Sequence, residues 1–162
     1  MSGTKNDSEK QPARFMYLTP IAVLNGDGKT YRMAHHIEDI IKDLTKGNVE
    51  LELFSVLEMS LVSSLREEND TEMCEIIKNV SYVSKLGADK YGIYNYQKGM
   101  DWSRLMDALC RHFIHYLYGD LIDIESGKDH RYHILANIYM LTYFIKVGVG
   151  KNDLIEESVD EQ

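Results

Sequence analysis

Apolar residues along this chain recur mainly at helical spacing. From Tyr31 onward, Met33, Ile37, Ile40, Ile41 and Leu44 fall on one helix face, and Lys46-Gly47 supplies its end. The next segment, VELELFSVLEMSLVSSL, alternates at its start like a strand, while Leu53, Val56, Leu57, Leu61 and Leu65 suit a helix. Its length favours the helix. Asn69-Asp70-Thr71 offers N-caps for a third helix, which runs to Leu86 and closes at Gly87. Gly92 and Gly99 then mark a loop through KYGIYNYQKGM. Asp101 or Ser103 caps a fourth helix, Trp102 to Tyr118, which Gly119 ends. The loop DLIDIESGKD leads into a fifth helix from His130 to Val147.

The amino-terminal part reads differently. Residues 1–13 are polar and predict disorder. An apolar stretch from Phe15 to Leu24, interrupted by Pro20, precedes the turn signal Asn25-Gly26-Asp27-Gly28. The flanking segments FMYLTPIAVL and KTYRMA can pair as a small β-hairpin, with Pro20 at an edge or bend. The expected fold is mainly α. It is a four- to five-helix bundle with a small N-terminal hairpin, a single helical domain over 14–148 and an acidic tail over 149–162.

Composition changes this picture mostly by exclusion. A chain of 162 residues that is 44% hydrophobic and 27% charged can bury one good core. No apolar run approaches the roughly 20 residues needed to cross a bilayer, and the first residues lack an apolar signal core. Two cysteines, Cys74 and Cys110, fit reduced thiols better than a disulfide framework. The expectation is therefore a cytoplasmic protein without membrane contact. A formal charge of −8 argues against a duplex nucleic-acid binder. An acidic chain can still bind a polyanionic nucleotide if a divalent cation supplies the positive charge.

Candidate chemistry is concentrated late in the chain. Four of the six histidines lie between positions 112 and 133, with Asp107, Arg111, Asp120, Asp123, Glu125, Asp129 and Asn137 in the same stretch. Asp107 and Arg111 share a helix face, and His115 lies one further turn along. His130, His133 and Asn137 form a stripe on the last helix. Between the two helices, Asp120, Asp123 and Glu125 crowd carboxylates into a short loop, an arrangement that is unfavourable unless a cation or protons neutralise it. Oxygen ligands of this kind suit Mg²⁺ or Mn²⁺, and adjacent imidazoles favour Mn²⁺ or another transition metal. Taken singly, His112 beside Phe113 and Ile114 reads as a core histidine, and His130 and His133 read as helix-surface residues. The two stripes and the acidic loop between them are more telling together.

The block from 87 to 137 carries a longer pattern. Gly87-Ala88-x-Lys90-Tyr91-Gly92 is followed by Asn95-Tyr96-x-Lys98-Gly99 and by Asp107-Ala108-x-x-Arg111-His112. Gly119-Asp120-x-x-Asp123-x-Glu125-Ser126-Gly127 and His130-x-x-His133-x-x-x-Asn137 complete it. This ordered series resembles the phage-type dATP/dGTP diphosphohydrolase family, relatives of the MazG-like all-α nucleoside triphosphate pyrophosphatases. Asp120 stands where the family pattern has Glu, and Tyr96 where it has Trp.

The resemblance implies a helical bundle that binds Mg²⁺ or Mn²⁺ and splits a purine (deoxy)nucleoside triphosphate, dGTP or dATP, into a monophosphate and pyrophosphate. It implies Asp107, Asp120, Asp123, Glu125, His130 and His133 as metal ligands, with the histidines ligating directly or holding water and phosphate. Asp107, His112, Asp123 and Glu125 are its catalytic candidates, since a carboxylate or imidazole can deprotonate the attacking water. Lys90 and Arg111 would meet phosphates, Tyr91, Asn95 and Tyr96 would frame the base, and Lys98 and Asn137 are further substrate-binding candidates. Arg14 is a further phosphate candidate. Related bundles often assemble as homo-oligomers. Residues 25–70 read as an insertion relative to the compact family. Together with the Asp120 departure, they motivate an alternative: a non-catalytic nucleotide-binding or host-inhibitor protein on the same fold.

Overall fold

The computed structural model describes residues 12–156. A 3₁₀ turn, Ala13–Phe15, leads into six helices: α1 Leu18–Asn25, α2 Gly28–Thr45, α3 Leu51–Glu68, α4 Met73–Tyr91, α5 Trp102–Leu117 and α6 His130–Val147. A second 3₁₀ turn, Asn95–Lys98, lies between α4 and α5. The structure is all-α, and its only β features among the described residues are two isolated bridges.

The expected hairpin is not formed. Pro20 sits in the first turn of α1, where a missing N–H breaks no helical bond. Leu18 and Ala22 of that helix are fully buried. Asn25-Gly26-Asp27-Gly28 is a turn as predicted, but it joins two helices. Asp27 Oδ1 accepts from Lys29 N and Thr30 N, both at 3.0 Å. Thr30 Oγ1 in return accepts from Asp27 N at 2.8 Å. This reciprocal cap starts α2.

The apolar stripes of the other helices build the core. Met33, Ile37, Ile40 and Leu44 of α2 are buried against α3, which contributes Phe54, Leu57, Leu61 and Leu65. The ambiguous VELELF segment is thus helical from Leu51. Helix α4 does not close at Gly87. It continues to Tyr91 and stops at Gly92, whose φ of +103° favours glycine. Lys90 and Tyr91 consequently belong to a helix and not to a loop. The central pair is α5 and α6, the most extensive contact in the fold, with α4 and α3 both packed on α6.

The start of the predicted tail belongs to the domain. Asp153 caps α5, accepting from Ser103 N at 2.9 Å and Ser103 Oγ at 2.5 Å. Trp102 N donates to Lys151 O at 2.9 Å, and Leu154 is buried. Gly99 and Gly150 cross so closely that a Cβ on Gly150 would stand 2.4 Å from Met100 O. At the other end, Ala13 is also buried. Of the segments expected to be disordered or tail-like, residues 1–11 and 157–162 lie outside the described residues.

Candidate active site

The α5–α6 pairing brings their two histidine stripes face to face at one end of the bundle. His112 Nδ1 and His130 Nδ1 are 2.8 Å apart. His115 stacks on His130 at 4.6 Å, and His112 stacks on His133 at 4.3 Å. The connecting loop is held tightly. His130 N donates to Leu121 O at 2.8 Å, and Asp123 N donates to Lys128 O at 2.8 Å. Gly127, at φ +71°, makes the reversal.

That loop delivers two carboxylates. Asp120 Oδ2 lies 2.7 Å from His115 Nδ1 at the exposed rim. Asp123 is more enclosed, and its Oδ2 accepts from both Ser126 N and Ser126 Oγ at 2.8 Å. Burial pushes the Asp123 carboxyl upward, but the two Ser126 bonds and then His133 and His112 outweigh it. The net shift is downward, so Asp123 is ionised at neutral pH.

His130 carries the least satisfied atom of the site. Its Nε2 is buried with no hydrogen-bond partner among the described residues. Burial, and secondarily His115, hold its imidazole below the ordinary value, so the ring is neutral at pH 7. A neutral ring has one N–H. Donation from Nδ1 to His112 Nδ1 leaves Nε2 as a bare lone pair and no buried N–H orphaned. This tautomer follows from hydrogen-bond accounting, and it is the form in which a histidine ligates metal.

Donor atoms of His112, Asp123 and His130 all lie within 4.8 Å of one another, as do those of His115, Asp120 and His130. Two imidazoles with a carboxylate fit Mn²⁺ or another transition ion better than the all-oxygen shell preferred by Mg²⁺.

Beside the cluster, between α4, the 95–98 turn and α6, lies a cavity of about 680 Å³. Its walls are largely apolar and aromatic, and they include Tyr91, Asn95, Tyr96 and Asn137, with His133 at the edge nearest the cluster. Such a volume suits a small organic ligand.

The family described as dATP/dGTP diphosphohydrolase, N-terminal, matches residues 57–154, more than half of the chain. The chain belongs to this family. No curated protein matches it. No solved structure matches it either. The family segment begins within α3 and contains every helix that shapes the cluster and the cavity. Residues 57–70 therefore belong to the family domain and not to an insertion.

Several residues expected at the site lie elsewhere. Asp107 is paired with Arg14, whose Nη1 is 2.6 Å from its Oδ2, and it is in neither donor group. Arg111 is the next turn of α5 from Asp107 and contributes to neither the donor groups nor the cavity wall. Glu125 is exposed and pairs with Lys90, while Lys98 is exposed at the end of the second 3₁₀ turn. His133 is in neither donor group; its Nε2 lies 2.7 Å from Ser126 Oγ and 3.4 Å from Asp123 Oδ2.

Other participants were not singled out by sequence reasoning. Arg131 is fully buried and grips Asp129, with Nε to Oδ1 at 2.9 Å and Nη2 to Oδ2 at 2.7 Å. Ser64 Oγ and Glu68 Oε1 also accept from its Nη1, at 2.6 and 3.0 Å. Burial opposes the Asp129 charge, but Arg131 prevails and holds its carboxyl below the ordinary value. This network fixes the first turn of α6 and with it the backbone of His130. A signal existed: Arg131 lies on the same stripe as Ile134, Leu135 and Ile138, where a charge needs a buried partner.

Proposed function

We propose that the chain hydrolyses a purine deoxynucleoside triphosphate, dGTP or dATP, to the monophosphate and pyrophosphate with Mn²⁺ or Mg²⁺. Family membership supports the reaction class. The observation that carries the site assignment is the convergence of His112, Asp123 and His130 donors beside the aromatic-walled cavity.

On this reading Asp123 and His130 hold the cation, and His112 joins them once its Nδ1 hydrogen bond to His130 opens. Once bound, the cation would neutralise phosphate oxygens and stabilise the charge that builds up on them. The cavity takes the base: Tyr91 and Tyr96 offer ring faces, and Asn95 and Asn137 offer polar edges. Asn137 already donates Nδ2 to His133 O at 2.8 Å, which fixes the orientation of its amide. Lys90 follows the cavity-lining Asp89 and meets the triphosphate by exchanging its Glu125 partner for phosphate oxygens.

His115 and Asp120 form the base pair of the reaction. Asp120 orients the imidazole through Nδ1, leaving Nε2 to take a proton from the attacking water. The water oxygen bonds to the α-phosphorus, and pyrophosphate departs with the bridging oxygen. Asp107 and Glu125 are assigned no role in this chemistry, because their carboxylates pair with Arg14 and Lys90 and join neither donor group.

A panel of purine and pyrimidine nucleoside triphosphates, incubated with Mn²⁺ or Mg²⁺ and resolved by chromatography, tests this function. Purine monophosphate and pyrophosphate are the expected products. Inorganic phosphate as the product would contradict the reading. Tight nucleotide binding without turnover would mark the chain as a binding protein on the same fold.

A further inference from the structure

Ser126 is given no role in the chemistry above, yet its hydroxyl meets three polar groups of the site. Lys128 N donates to Oγ at 3.2 Å, Oγ donates to Asp123 Oδ2 at 2.8 Å, and His133 Nε2 lies 2.7 Å away. A serine hydroxyl has one hydrogen and two lone pairs. With its hydrogen on Asp123 and one lone pair on Lys128 N–H, the second lone pair accepts from His133 Nε2–H. The hydroxyl is thereby saturated, and the tautomer of His133 is set.

The consequence falls on Asp123. Ser126 N and Oγ both bond Oδ2, and the near approach of His133 is to the same oxygen. Oδ1 receives none of these bonds and keeps its lone pairs. Two donors from one residue, set in a loop closed by the Asp123 N to Lys128 O bond, leave the carboxylate little freedom to rotate.

We propose that Ser126 is a positioning residue for the cation site, holding Asp123 so that its unbonded oxygen faces the His112–His130 pair. The proposal rests on the reading of that cluster as the cation site. Groups that orient a ligating carboxylate or imidazole affect metal affinity by roughly 10–100-fold. Ser126 does this for Asp123 directly, and it also holds His133, whose ring stacks on His112 at 4.3 Å.

The test measures Mn²⁺ binding to the full chain without nucleotide, by loss of the free-ion electron paramagnetic resonance signal, for wild type, Ser126→Ala and Ser126→Thr. Thermal melts of the three run alongside. The expected result is wild-type binding, a loss of about 10–100-fold in Ser126→Ala with the melt retained, and recovery in Ser126→Thr, which restores the hydroxyl. Equal affinity of wild type and Ser126→Ala overturns the proposal while leaving the cation site standing. Failure of Ser126→Thr to bind better than Ser126→Ala also overturns it. Absence of Mn²⁺ binding by wild type overturns the cation-site reading itself, and the Ser126 role with it.

Discussion

His112 and His130, eighteen positions apart on different helices, present their Nδ1 atoms to each other at 2.8 Å. The neutral His130 ring engages His112 through Nδ1, and its opposite face is left with a buried, unpartnered Nε2. A bare lone pair in a dry site loses its hydration without replacement, and a cation would restore a partner.

Replacing His112 by Ala therefore removes a donor without disturbing helix propensity in α5. Mn²⁺ affinity measured by calorimetry is expected to fall at least ~10-fold, since even outer partners of a ligand matter this much. Because two donors are imidazoles, wild type is expected to bind Mn²⁺ more tightly than Mg²⁺.

Arg131 and Asp129 form a pair at 2.7 Å with almost no solvent exposure. Removing one partner of such a pair leaves the other charge buried and uncompensated, at a cost of about 3–5 kcal/mol. Arg131→Ala is expected to lower stability by that amount in urea unfolding. A loss no larger than that of an exposed ion pair, below about 1 kcal/mol, would show that the pair is not buried in solution.

The Asp27 cap gives a pH dependence of definite sign. The Thr30 N–H, then the Thr30 hydroxyl and Lys29, overcome slight burial and hold the Asp27 carboxyl below its ordinary value of 3.8. Its contribution is fully present above that value and is lost as pH falls through the lower folded value. Asp27→Ala is expected to cost about 1 kcal/mol at pH 7, typical of an N-cap. The difference between wild type and variant should vanish on acidification below the ordinary carboxylate range, as followed by thermal melts.

Gly150 holds φ at +76°, and a Cβ there would meet Met100 O. Gly150→Ala is expected to destabilise by about 1–3 kcal/mol through backbone strain. Met100 also lines the cavity, so nucleotide binding should weaken in the same variant.

The helix stripes of α2, α5 and α6 were legible because each repeats over four or more turns. The first helix was not, because FMYLTPIAVL is apolar on all sides and Pro20 reads as a breaker unless the helix start is already placed. Gly87 and Gly92 look alike in sequence, and only the backbone shows which of them needs positive φ. The facing stripes and the loop carboxylates Asp120 and Asp123 were readable from spacing. Asp107 was not placed by the same logic, since residues on one face need not share an end. It lies eight residues before His115, about 12 Å along the axis. Ser64 and Glu68 act through tertiary contacts that no local pattern encodes, whereas Ser126 bonds Asp123 only three positions away.

The proposed hydrolysis requires a cation held by the cluster at the α5–α6 end. Pyrophosphate release from dGTP, measured against Mn²⁺ concentration for wild type and Asp123→Ala, tests it most directly. Saturable, cation-dependent release by wild type and at least a ~100-fold loss in the variant are expected, comparable to removal of a key transition-state contact. Undiminished, equally cation-dependent turnover by Asp123→Ala would contradict this placement of the cation.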